Sequence, residues 1–285
     1  MIFRIGAIGL AAVLVAWTPL SGPDGFRPDD GRTSVTATAS ALESWAQQTQ
    51  SWDWRGRVDR GDAIEIKGVN GDVAAQRGSG NQVEVRVELK GRKSDPSTVE
   101  MVAIEHEGGV TICAVYPSED RDRPNECQPG SRGRMNVKDN DVSVSFTVLV
   151  PAGVNFVGRT VNGDVEARDI EGDVQAHTVN GGVDIYASGL AEATTVNGSI
   201  TVSMGRANWD GTLDFTTVNG GVTLEMPADL SCEVSISTVN GHIASDFPLT
   251  VEGRFSPRHL KGTIGNGGRG LVIKTVNGSV QIRRS

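Results

Sequence analysis

Thr-Val-Asn-Gly occurs six times between residues 160 and 278 of this 285-residue chain, at Thr160, Thr178, Thr195, Thr217, Thr238 and Thr275. A degenerate copy, Gly68-Val69-Asn70-Gly71, lies upstream. Each copy is followed by one small or polar residue and then Val or Ile: Val73, Val165, Val183, Ile200, Val222, Ile243 and Val280. Within the block, successive asparagines are 18, 17, 22, 21 and 37 residues apart. Periods of this size belong to stacked units, none of which can bury its apolar face alone. The residues after each signature alternate apolar and polar, as in Val165-Glu166-Ala167-Arg168, which is the period of a strand. The reading is an all-β, single-stranded parallel β-solenoid (β-helix) of about 17–22-residue coils, with an N-terminal β cap region.

Within the signature, Val is expected to pack inward. Asn-Gly is expected to turn the chain, because both residues tolerate positive φ. Thr suits the strand before the corner. If every coil turns at the same place, Asn70, Asn162, Asn180, Asn197, Asn219, Asn240 and Asn277 stack about 4.8 Å apart, and their amides can bond along the column. A half-signature, Ile170-Glu171-Gly172-Asp173-Val174, divides the first coil into two arms. The 37-residue gap is close to two coils, with Gly262–Gly268 as a worn corner. An antiparallel meander of hairpins is the competing geometry; it requires matched strand runs on both sides of every Asn-Gly, and the upstream run is often broken.

Four stretches are expected in order. Residues 1–22 read as a signal peptide, with Arg4 before an apolar run, although Pro19 and Leu20 make a poor cleavage site and an uncleaved anchor is the alternative. Residues 23–51 read as a polar linker. Residues 52–157 form an N-terminal β region that caps or starts the solenoid, and residues 158–285 form the repeat. The net charge of -8 argues against a nucleic-acid partner. No membrane span is expected in the mature chain.

Cys113 and Cys127 are close enough in sequence for a disulfide in an oxidising compartment, worth about 3 kcal/mol for such a loop; metal binding is the alternative. Cys232 shares the parity of Val234 and Ile236 and should face the core. His106, His177, His242 and His259 show no metal spacing and read as surface residues. Asp72, Asp164 and Asp173 follow a corner glycine, but the equivalent later positions are not acidic, so no calcium column is expected. Glu166 and Asp184 occupy comparable arms without a third acidic partner, so no catalytic pair is assigned. Trp52 and Trp54 share a face, either as a core plug or as a sugar platform. Trp209 reads as a loop residue. No catalytic residue, metal or cofactor is assigned.

The repeated Thr-Val-Asn-Gly, the Val110–Pro117 segment with Cys113 and Cys127, the run from Phe247 to Arg254, and Gly262–Gly265 through Thr275–Val280 together resemble the bacterial DUF4097 family, described as candidate adhesins with β-strand repeats. The resemblance covers about residues 60–284. It implies a β-solenoid outside the cytoplasm and carries over no catalytic residues. The functional expectation is an exported, non-enzymatic protein of the periplasm, cell surface or medium that binds or supports a cell-envelope component, glycan or protein. The alternatives are a β-helical polysaccharide lyase or hydrolase, and a sensory module of an envelope-stress system.

Overall fold

The structure, a computed structural model, describes residues 48–120, 122–251 and 258–285. The expected signal peptide and residues 23–47 of the expected linker lie outside the described residues. Residues 48–51 belong to the first strand.

Two long sheets face one another across a single apolar core. Each coil contributes one strand to each sheet, joined at the Asn corner. The first coil is β2 (Ala63–Lys67) and β3 (Val73–Arg77). The next four are β8 (Asn155–Arg159) with β9 (Val165–Ile170), β10 (Val174–His177) with β11 (Val183–Ala187), β12 (Ala191–Thr194) with β13 (Ile200–Met204), and β14 (Thr212–Thr216) with β15 (Val222–Met226). The last two are β16 (Cys232–Ser237) with β17 (Ile243–Ser245), and β20 (Gly270–Lys274) with β21 (Val280–Arg284). Neighbouring coils pair in parallel and in register, as in Val183 opposite Val165 on one side and Ile200 on the other. Inward residues such as Ile185, Ile200, Phe215 and Leu224 are fully buried. The parallel pairing removes the meander.

Both ends of the stack depart from sequence order. The last coil does not lie last: β20 pairs with β14 and β16, and β21 with β15 and β17. It is inserted between the fifth and sixth coils. The expected worn corner at Gly262–Gly268 is instead the end of β19 (His259–Ile264) and the turn that follows it; β19 runs antiparallel along the outer side of β16. The chain therefore passes outside β16 and returns inside it. The N-terminal end mirrors this arrangement. There, β6 (Gly109–Val115) and β7 (Ser143–Val150) form a coil outside β2 and β3, so the first Asn-bearing coil is also interior. Antiparallel β4 (Val83–Gly91) and β1 (Gln48–Gly56) extend one sheet, and β5 (Glu100–His106) extends the other. These strands cover the open end of the coil stack, which otherwise exposes unpaired backbone. Trp52 and Trp54 pack against the core from β1, as a plug does.

The signature works differently from its sequence reading. Its valines point outward: Val161, Val179, Val196, Val218, Val239 and Val276 are 36–52% exposed. Its threonines point inward, and all six are 5% exposed or less. Each threonine Oγ1 donates to the corner-glycine carbonyl of the adjacent coil, from Thr160 to Gly71 at 2.9 Å and from Thr178, Thr195, Thr217, Thr238 and Thr275 to Gly163, Gly181, Gly198, Gly278 and Gly220 at 2.8 Å. A buried valine in that place leaves the carbonyl without this partner, which is why the polar β-branched residue sits inside. From Gly181 onward the corner glycine is required for room rather than for turn conformation, whereas Gly71 also has a φ of 123°. A Cβ on Gly198 would overlap the Gly181 carbonyl oxygen, and Gly220 stands in the same relation to Gly198. The corner asparagines do not have positive φ.

Candidate functional site

The Asn corners line up along one edge of the molecule. Asn162 Nδ2 donates to Asn70 Oδ1 and Asn180 Nδ2 to Asn162 Oδ1, both at 2.8 Å. Asn197 continues to Asn180, Asn219 to Asn197, Asn277 to Asn219 and Asn240 to Asn277, each at 2.7 Å. The column therefore has a direction: Asn70 only accepts within it and Asn240 only donates. It is solvent-facing, with the exposed valines beside it. The residue after each glycine adds further bonds, because Asp72 Oδ1 takes the Asp164 N–H at 2.9 Å and Asp164 Oδ1 takes the Gly182 N–H at 2.7 Å. At the opposite corner, Asp173 Oδ1 takes the Leu190 N–H at 2.9 Å. These aspartates hold adjacent coils together.

At its N-terminal end the column meets a long connection. Residues 116–142 join β6 to β7 where every later coil uses a five-residue corner. Cys113 and Cys127 form a disulfide that pins this loop over β6. Cys113 faces away from the sandwich core, yet it is buried under the loop. Tyr116 anchors the loop's start: its hydroxyl donates to the Val142 carbonyl at 2.8 Å, and burial pushes its pKa up to about 12. Within the loop, Glu126 and Arg134 exchange backbone hydrogen bonds of 2.8 and 3.1 Å.

Two outward side chains of β2 bind the loop to the sheet. Glu65 is 6% exposed and accepts from Thr111 Oγ1 at 2.9 Å, Gly130 N–H at 2.8 Å and Arg159 Nε at 2.9 Å. Lys67 Nζ donates to the Gln128 carbonyl at 2.5 Å and the Arg132 carbonyl at 2.8 Å. Between loop and sheet lies a cavity of about 350 Å³, whose wall includes Lys67, Arg132, Arg134 and Arg159, with Val69, Met135 and Val161 on its apolar side.

Lys67, Arg159 and His177 are directly aligned on neighbouring parallel strands. Burial lowers the Lys67 pKa; Arg159 and Arg132 lower it further, against Glu65. Burial also lowers His177 to about 4, with Arg159 acting in the same direction and Glu65 opposing. His177 is thus half-buried beside cations rather than a plain surface residue. His242 and His259 are exposed.

Other singled-out residues lie elsewhere. Cys232 is buried in the core, and burial pushes its thiol up to about 11. Trp209 lies in the loop between β13 and β14, as expected, and is buried there; its Nε1 donates to the Gly270 carbonyl at 3.0 Å, with the Arg269 guanidinium 5.5 Å from its ring. Among the described residues, no group of three or more His, Cys, Asp or Glu is placed to hold a metal. Glu166 and Asp184 are neighbours in register on the outer face of one sheet.

The profile of the Toastrack DUF4097 family matches residues 136–283, just over half the chain. The chain belongs to the DUF4097 family. The match runs from just before β7 through the last coil, so the disulfide and first coil precede it. Among solved structures, a candidate cell adhesion protein from Clostridium sporogenes is 10% identical, with 84% of this chain and 100% of that one covered, at a TM-score of 0.43. A candidate adhesin from Bacteroides fragilis is 10% identical over 82% and 97% of the two chains, at 0.26. A candidate lipid binding protein from Parabacteroides distasonis is 10% identical over 83% and 97%, at 0.29. No curated protein matches the chain.

The basic column and its cavity were missed in the sequence, yet a signal exists. Lys67, Arg159 and His177 each stand three residues before a corner asparagine. Aligning the coils on asparagine, rather than reading each alone, places them side by side.

Proposed function

We propose that this DUF4097 protein is an exported, non-enzymatic β-solenoid that binds or supports a component of the cell envelope, glycan or protein. The observation that carries the reading is the solvent-facing Val–Asn column. Seven asparagines at strand spacing give a straight, regular edge roughly 29 Å long. A surface of that length and repetition suits an extended macromolecule rather than a small substrate. The Cys113–Cys127 disulfide supports an oxidising destination. No helix among the described residues is long and apolar enough to cross a membrane.

Co-sedimentation of the full chain with isolated envelope from its own organism tests this reading. Saturable pelleting that survives high salt is expected. Absence of pelleting contradicts the binding role, and release of oligosaccharides from envelope glycans by the pure protein contradicts the non-enzymatic one.

A further inference from the structure

We propose that the cavity beneath the disulfide loop is a binding site for an organic phosphate, with the phosphoryl group among Arg132, Arg134, Arg159 and Lys67 and a short apolar substituent against Val69, Val161 and Met135. The inference rests on this cavity alone and does not depend on the envelope reading above.

Among the described residues, four cations line a space of about 350 Å³ whose only lining carboxylate is Glu126, in a chain whose net charge is -8. The concentration of positive charge is therefore local. Glu126 is also engaged, since its Oε1 accepts from Gln128 Nε2 at 2.7 Å. Like charges aligned on adjacent strands oppose folding. Lys67 and Arg159 are so aligned, and Glu65, the buried carboxylate beside them, spends its oxygens on Thr111, Gly130 and Arg159. An ammonium has three donors, and two of those on Lys67 are used by loop carbonyls. Arg159 contributes only Nε to Glu65. Arg134 reaches Asp120 at 3.5 Å, and Arg132 forms no ion pair among the described residues. Donors and positive charge thus remain for a ligand.

A phosphate monoester fits better than a carboxylate. It carries between one and two negative charges at neutral pH and three terminal oxygens, which match several guanidinium forks at once. The apolar wall extends into the exposed valines of the corner column, so a substituent on the phosphate has a surface to leave along. The loop is preorganised by the disulfide, the Glu65–Gly130 bond and the Lys67–carbonyl bonds, which lowers the cost of ordering it around a ligand.

The test is calorimetry on the full, oxidised chain with inorganic phosphate, hexyl phosphate and hexanol as probes. Hexyl phosphate is expected to bind at least tenfold tighter than inorganic phosphate, hexanol not at all, and Arg132→Gln to weaken hexyl phosphate at least tenfold. Arg132 holds the loop through its carbonyl, so this variant is expected to fold with unchanged circular dichroism. Arg134→Gln provides a second, independent loss. No binding of hexyl phosphate at millimolar concentration, or an affinity in both variants unchanged from that of the parent chain, overturns the proposal. The source is then separated with vesicles. Pelleting with phosphatidic acid but not phosphatidylcholine vesicles, displaced by hexyl phosphate, identifies a lipid headgroup. Binding of hexyl phosphate without vesicle pelleting identifies a soluble organic phosphate.

Discussion

Replacing Thr195 by Val tests the inverted signature. Thr195 is 1% exposed, and its hydroxyl reaches the Gly181 carbonyl at 2.8 Å. No backbone N–H takes that oxygen among the described residues. Valine has nearly the same shape, so no cavity forms and the cost isolates the hydrogen bond. A neutral bond contributes about 0.5–1.5 kcal/mol, and stranding a shielded acceptor adds to that. The corner glycine is only half-buried, so water recovers part of the loss, and about 1.5 kcal/mol is expected. For a domain of this size that is roughly 3–6 °C in Tm. The matched control is Val196→Thr, at an exposed site, which should stay within about 0.5 kcal/mol. Urea unfolding followed by circular dichroism reads both. If Val faced the core and Thr faced solvent, Thr195→Val would be neutral or stabilising and Val196→Thr costly. That reversed pattern refutes the corner geometry.

The amide column predicts an asymmetry between its two ends: Asn240→Asp places an oxygen against Asn277 Oδ1 and should cost about 1 kcal/mol, whereas Asn70 only accepts within the column, so Asn70→Asp keeps its column bond, disturbs only the contact with Tyr116 and should cost less. Asn197→Asp, an interior position, should resemble Asn240→Asp; equal melting temperatures for all three contradict the directed column. Reduction of Cys113–Cys127, which closes a loop of 14 residues in sequence separation, should lower stability by about 3 kcal/mol and open residues 116–142 to limited proteolysis first. His177 titrates near 4 in the folded protein against 6.5 unfolded, so the unfolded chain binds the extra proton between these values. Its contribution is therefore complete above pH 6.5 and is lost as pH falls towards 4; His177→Gln should flatten the stability profile in that window, and an unchanged acid limb argues against it.

The coil and its corner were legible because each signature repeats a local instruction: a strand, a close backbone approach that only glycine permits, and an amide placed to meet its copy. The direction of Val and Thr was misread because hydrophobicity alone assigns valine inward. At this corner the buried position faces a carbonyl, and hydrogen bonding outweighs one methyl group. The order of the coils was not legible at all. Asn277 carries the same signature as Asn240, and nothing in either tetrapeptide says which lies beside Asn219. That choice is made by β19, which passes outside β16 and leaves the inner position to β20. The basic cavity was hidden for a related reason: Lys67 and Arg159 are neighbours in space but 92 residues apart in sequence, because a cap and a 27-residue loop intervene.

The inserted last coil is the central structural claim, since it makes the corner column continuous, and cysteine pairs test it directly. Val218, Val276 and Val239 are exposed and occupy the same corner position in three coils, with Val276 N–H bonded to the Val218 carbonyl and Val239 N–H to the Val276 carbonyl, both at 3.2 Å. Adjacent coils lie about 4.8 Å apart, within reach of a disulfide, whereas coils two steps apart, at about 9.6 Å, are not. Under mild oxidation, Val218→Cys with Val276→Cys, and Val276→Cys with Val239→Cys, should cross-link rapidly in the folded protein, while Val218→Cys with Val239→Cys should remain reduced. Rapid cross-linking of the third pair with failure of the first would place the coils in sequence order and contradict the account.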